Sequence, residues 1–581
     1  MRRVLVSCSA LSLALGVLGT SAFAQTAAPA IAPAASAMPA PTTATNVNLI
    51  PASAATPPAP PVDCSKDPDP YKNFSCLDAY LGSSVTDRFI NYYKLEMGQS
   101  GPPSDPNAPP SRIADWPATP ETTPPMPFTE WPYGGTTAIG VTRPGSVDSP
   151  LMVAIANTSP GKWLDDNHFQ IYGWIDPGFN ISSNTERPGG NAPIAYAYTP
   201  NTVQLDQAVI YLDRFPDTVQ TDHIDWGMRF SAIFGENYRY TTGYGYYSYQ
   251  LLKHNNQNGY DFPMVYGELY IPFIANGMMI RIGRYISLPD IEAQLAPNNY
   301  MYTHSLTYAV DNYTNTGIVA TTALLKDLFL QTGLSVGTEA APWHVGETIK
   351  NPYPNPLYPG PTFDKDPGAQ FPTYTVCLRY GWNGGRDNIQ PCMNGVNNGH
   401  WGYNNLQWYG FTYYHKFNDH WHVDMEFYDE FQRGVPNNQN PTVYGTAESI
   451  YERGGTPFSP QFIPFNAPNL AHCKNAIVLS CTASGTGVTG YLNYSPNPLN
   501  NFSFRPEYYA DNQGQRTGTA TDYYEFSIGW QHWLSPQIEM RPELGYYRSI
   551  DAKAFNGNPT HGIAPDENHT WFGAADVILH F

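Results

Sequence analysis

Charge is scarce in this chain. Asp, Glu, Lys and Arg together make only 14% of its 581 residues, where a soluble globular domain carries about a quarter. Basic residues are scarcer still: 30 Lys and Arg against 49 Asp and Glu leave a formal charge of −19. That balance excludes a surface built for nucleic acid, whose phosphates demand cations. Beyond the first residues, no apolar stretch reaches the length of about 20 residues that a spanning helix needs. Motif chemistry is missing as well. There is no Gly-x-Ser-x-Gly elbow, no phosphate loop and no paired-cysteine metal motif, so no catalytic residue, cofactor or metal is assigned and the chain is not read as an enzyme.

The N-terminus names the compartment. Arg2 and Arg3 precede an apolar run from Val4 to Gly19, and Ala22-Phe23-Ala24 supplies small residues ahead of Gln25. This is the pattern of a secretory signal peptide over residues 1–24. Its removal takes Cys8 away and, with two arginines, moves the formal charge from −19 to −21. Residues 25–62 are mostly Ala, Pro, Thr and Ser, which cannot bury enough apolar surface to order themselves; they read as a disordered periplasmic tether. Residues 63–165 read as a periplasmic extension. Within it Leu81, Val85, Phe89, Tyr92 and Tyr93 recur at helical spacing, predicting a short helix near 77–97.

From residue 166 to the end the dominant signal has a period of two. In Trp421-His422-Val423-Asp424-Met425-Glu426-Phe427 apolar and polar residues alternate without a break, as a wall between lipid and water requires. Phe502, Phe504 and Tyr508 likewise oppose Ser503, Arg505 and Glu507. Tyr524, Phe526, Ile528 and Trp530 oppose Glu525, Ser527 and Gln531, and Ile538, Met540 and Leu544 oppose Glu539, Arg541 and Glu543. Residues 203–215 alternate poorly and are read as a strand on β-propensity alone. Tight reversals at Asn276-Gly277, Lys326-Asp327, Asn418-Asp419 and Ser535-Pro536 contrast with long stretches at 338–401 and 432–486. Outer-membrane barrels show this asymmetry of short periplasmic turns and long external loops. The fold expected is therefore all-β, an antiparallel transmembrane barrel of about 14 strands, an even number between 12 and 18. The crossings fall near 168–183, 203–214, 223–235, 262–274, 277–286, 316–325, 328–337, 403–416, 420–431, 487–495, 501–511, 521–533, 537–548 and 569–581. Parity makes residues 237–261 a loop. The last strand ends on Val577, Leu579 and Phe581, the alternating aromatic-terminated pattern of a barrel-assembly signal.

With those segments in place, residues 166–581 resemble the OmpL-like family of β-barrel porins. The resemblance rests on Gln207-Ala208-Val209-Ile210-Tyr211-Leu212, Ile282-Gly283-Arg284-Tyr285, Thr316-Gly317, Arg505-Pro506-Glu507-Tyr508, residues 511–518 and Arg541-Pro542-Glu543-Leu544. Asn315 stands where such sequences often carry His. The resemblance implies an outer-membrane porin-like channel for passive diffusion of small hydrophilic solutes. The alternative is a non-conducting barrel that serves as scaffold, adhesin or enzyme through its external loops. Expected partners are outer-membrane lipid and lipopolysaccharide, the barrel-assembly machinery and small solutes; homo-oligomerisation is left open.

The polar side of each well-alternating strand gives the candidate pore-lining residues: Asp225, Glu268, Asp424, Glu426, Glu507, Glu525, Glu539 and Glu543 against Arg229, Arg281, Arg505 and Arg541. The negative surplus predicts weak cation preference. Arg505 and Arg541 are candidates for a charge ladder across the pore, or simply neutralise the glutamates two residues away. Arg is expected to be costly at Met425 or Phe526 and tolerated at Glu426 or Glu525. His420, His422 and Asp424 share a strand face but read as lumen or rim residues rather than metal ligands. The six mature cysteines are expected to pair with near neighbours: Cys377 with Cys392 in one external loop, Cys473 with Cys481 in another, and Cys64 with Cys76 in the periplasmic segment.

Overall fold

In the computed structural model the chain is described within residues 78–99, 149–344, 372–443 and 470–581, with short omissions inside those ranges. The signal, the tether, Cys64 and Cys76 lie outside the described residues. A sheet of 18 antiparallel strand segments closes on itself when the first pairs with the last. Two of the crossings are each built from two segments, so the barrel has 16 strands.

In chain order they are β1 Phe169–Ser182, β2 Val203–Arg214, β3 Asp225–Gly235, β4 Gly259–Asp261 with Val265–Ile271, β5 Met278–Ile286, β6 Thr314–Leu325, β7 Leu328–Thr338 and β8 Thr373–Trp382. They continue as β9 Asp387–Val396, β10 Gln407–Lys416, β11 Trp421–Pro436, β12 Ser480–Asn497, β13 Asn500–Asp511, β14 Thr521–Ser535, β15 Ile538–Met540 with Glu543–Ser549, and β16 His569–His580. The breaks in β4 and β15 fall at Pro263 and Pro542, which lack the N–H a ladder needs.

Every crossing expected from the sequence is present, and two more were overlooked. The hairpin β8–β9 occupies residues assigned to a long loop. Its alternation is legible in hindsight: Tyr374, Leu378 and Tyr380 are exposed while Thr373, Thr375 and Cys377 are buried. Surrounding Pro and Gly, and Pro391 inside β9, masked it. Parity could not reveal the error, because a missing hairpin removes two crossings at once. Cys377 and Cys392 therefore face each other across paired strands, joined by a disulfide, rather than lying in a loop. Cys473 is bonded to Cys481. Residues 237–261, expected as a loop, add no separate crossing, although Gly259–Asp261 already form the start of β4.

The poor alternation of β2 has a local cause. Asp176 pairs with Gln207 and Pro177 with Leu205, which leaves Asp206 as an extra residue. Such a bulge lets two successive side chains face one way, and both Asp206 and Gln207 are buried.

At the short-turn end of the barrel lie α1 Val85–Glu96, α2 Pro150–Ile155 and α3 Ser159–Asp166. The Ser84 side chain caps α1 by accepting from Asp87 N at 3.0 Å. Leu81, Tyr92 and Leu95 pack on Val153 of α2. At the other end the loops are long and carry α4 Tyr249–Leu252 and α5 Leu306–Val310.

Candidate functional site: the lumen and its inner loop

The wall sorts side chains by parity. On β14 and β15 the outward Phe526 and Leu544 are 49% and 61% exposed, whereas the inward Glu525 and Glu543 are 0% and 3% exposed. A two-residue period imposes this wherever one face meets lipid and the other encloses a lumen. Every candidate from the sequence stands on the inward side. Arg229, Glu268, Arg281, Asp424, Glu426, Arg505, Glu507, Glu525, Glu539, Arg541 and Glu543 are buried; Asp225, near the short-turn rim, is partly exposed.

What buries them is chain, not strand. Residues 191–200, 236–243 and 294–311 are buried at every position although none lies in the wall. The longest of these joins β5 to β6 and is stapled to the opposite wall, β11 to β16. Thr303 donates from its N–H at 2.8 Å and its hydroxyl at 2.6 Å to Glu543. Glu507 accepts from the N–H groups of Leu306, at 2.8 Å, and Thr307. Tyr300 donates to Asp424 at 3.0 Å and meets His422 Nε2 at the same distance. Arg541 donates to the carbonyls of Ala296 and Asn299 and pairs with Asp576.

Arg505 is the centre of this network. Its Nε lies 3.0 Å from both oxygens of Glu525, and its other nitrogens reach Thr303 O at 2.6 Å, Glu292 at 3.3 Å and Glu543 at 3.4 Å. Tyr491 and Tyr547 complete its shell. A guanidinium buried in this way needs several carboxylates and acceptors to offset its lost hydration. Of the two roles open to Arg505 and Arg541, pairing with carboxylates is the one seen, though across strands rather than along one. Arg at Glu525 would place a second guanidinium against Arg505, so the contacts argue against its being tolerated there.

Other inward ion pairs join these candidates to one another or to residues the sequence pattern did not single out. Arg229 is held by Asp213 at 3.1 Å and Arg281 by Glu268 at 2.6 Å. Arg284 pairs with Asp261 at 2.9 Å. In the loop after β3, Arg239 lies 2.8 Å from Glu236, off the line of a hydrogen bond. Asp576 sits on a well-phased strand position and could have been found; Asp213 lies on the poorly alternating β2, and Glu236, Glu292 and Asp311 are in loops, where no period marks a face. His420 is bound to Ser495 O at 2.8 Å, away from His422, so the three polar residues of that strand do not converge.

Comparison with solved structures finds barrels of low similarity. The outer membrane channel DcaP of Acinetobacter baumannii is 10% identical, with a TM-score of 0.40, covering 71% of this chain and 97% of that one. An anion-selective porin from Comamonas acidovorans is 8% identical, with a TM-score of 0.38 and coverage of 71% and 99%. A triple mutant of the Rhodopseudomonas blastica porin is 10% identical, with a TM-score of 0.35 and coverage of 71% and 100%. No curated protein sequence matches. The family model described as "Putative beta-barrel porin-2, OmpL-like" matches residues 168–581, and the chain belongs to that family of outer-membrane barrels.

Proposed function

We propose that this barrel is a passive diffusion channel for small hydrophilic solutes whose aqueous path is narrowed by the loop between β5 and β6. The observation that carries this reading is the loop's attachment: a segment bonded to Glu507, Glu543 and Arg541 on the far wall is fixed inside the lumen rather than draped over its mouth. Buried carboxylates outnumber buried arginines, which supports weak preference for cations, because charged linings act on ions at close quarters. The long-loop end is external and the short-turn end periplasmic. Contacts at the short-turn end support a periplasmic extension: Tyr93 donates to the His580 carbonyl, and Gln537 donates to the Tyr92 hydroxyl at 3.2 Å. The final strand, with Val577 and Leu579 outward and Phe581 bonded to Gly173 at 2.8 Å, carries the alternating, Phe-terminated pattern that assembly machinery reads.

Reversal potentials across a salt gradient in planar bilayers test the proposal. A modest cation preference is expected. Anion selectivity would sink the charge argument, and a folded barrel without conductance would favour the scaffold, adhesin or enzyme reading.

A further inference from the structure

The inner loop has an acid near each end, and both meet the same point of the opposite wall. Asp290 opens the loop, Asp311 closes it, and Glu426 projects from β11 between them. Carboxylate oxygens from the three all lie within 4.8 Å of one another. Glu426 is 1% exposed. Its Oε2 accepts from Ile291 N at 3.1 Å, whereas its Oε1 is buried without a hydrogen-bond partner. Among the described residues no Lys, Arg or His forms an ion pair with Asp290 or Glu426. The contrast with Glu292 is direct: that acid, two residues from Asp290, is met by Arg505 and by Ser305 N at 3.1 Å.

Asp290, half-buried, and Glu426, buried, lie too close for both to stay ionised without a compensating charge. The donor set is all oxygen, which excludes the nitrogen and sulfur preference of zinc. Calcium binds oxygens at about 2.3–2.6 Å, so ligands on opposite sides of one ion stand about 4.6–5.2 Å apart. Three oxygens that all lie within 4.8 Å of one another are close enough to share one such ion. We propose that Asp290, Asp311 and Glu426 bind one calcium ion, which clasps both ends of the inner loop to β11. Backbone carbonyls and water complete the six to eight ligands such an ion takes. Binding follows from these three residues alone; only its consequence, a fixed constriction, rests on the channel reading.

The test uses the full mature chain refolded in detergent from lipopolysaccharide-free material, stripped with chelator and titrated with calcium chloride by calorimetry. One ion per chain is expected, with affinity at least tenfold weaker in Glu426→Gln and in Asp290→Asn. Circular dichroism and heat-modifiable gel migration report whether each variant is a barrel. Should Glu426→Gln fail to fold, Asp290→Asn and Asp311→Asn, both in the loop, decide the question. No saturable binding at several times the millimolar range of extracellular calcium sites would overturn the proposal, as would variants that bind like the parent. Binding without any bilayer conductance would leave the site standing and remove the channel.

Discussion

The wall of β11 to β15 and the loop it holds follow opposite rules. Along the wall burial alternates, because each strand turns successive side chains to lipid and to lumen. Along residues 294–311 burial is continuous and has no period. Such a segment takes irregular backbone out of water, so its N–H and C=O groups must find partners elsewhere. The wall's charged side chains supply them, as Glu507 does for two consecutive N–H groups. Inward charge in this barrel is therefore first a means of fastening chain across the lumen and only then a lining for solutes.

The sharpest way to break the comparison is to remove the hub. Arg505→Met leaves Glu525, Glu543 and Glu292 buried without their cation, and loss of one partner from a buried ionic cluster costs about 3–5 kcal/mol. Urea unfolding in lipid vesicles reads the change. A loss under about 1 kcal/mol would mean that water already reaches these carboxylates and that the loop does not seal them.

Next in size is a test of the two faces. Phe526→Arg, facing lipid, should cost about 2–4 kcal/mol near mid-bilayer. If the lumen were open water, Glu525→Arg one residue away would be harmless. Packed against Arg505, it is expected to destabilise at least as much as Phe526→Arg, and a tolerated Glu525→Arg would show that the inner loop is easily displaced.

The smallest effect is a pH dependence confined to loop chain. Burial, only partly offset by Arg239, pushes the Glu236 carboxyl up to about 7. Because this lies above the unfolded value of about 4.3, the protonated form favours the packed loop. Its contribution is complete below about pH 4.3 and lost as pH rises through about 7. Amide exchange over residues 236–242, corrected for its intrinsic pH dependence, should quicken between pH 5 and 8 in the parent and not in Glu236→Gln. Equal profiles would place the carboxyl in contact with water.

Much of the wall could be read from sequence because its rule is local. Phe502 to Tyr508 reveal their faces to anyone who knows the period. Where the bulge at Asp206 disturbs that period, or a proline such as Pro391 interrupts the strand signal, the reading weakened or failed, and the hairpin β8–β9 was lost with it. Cys377 and Cys392 were paired correctly but placed wrongly, since fifteen residues of separation suit a loop as well as a hairpin.

The sequence by itself determined the class of fold, the phase of most strands and the inward side on which Arg505, Glu507 and Glu543 would stand, because a period of two needs only neighbouring residues. Only the tertiary structure decided what those side chains do there. Arg505 and Thr303 are 202 residues apart, and Leu306 and Glu507 are 201 apart; no local pattern encodes such meetings, which arise when closing the barrel brings the loop after β5 against the wall opposite.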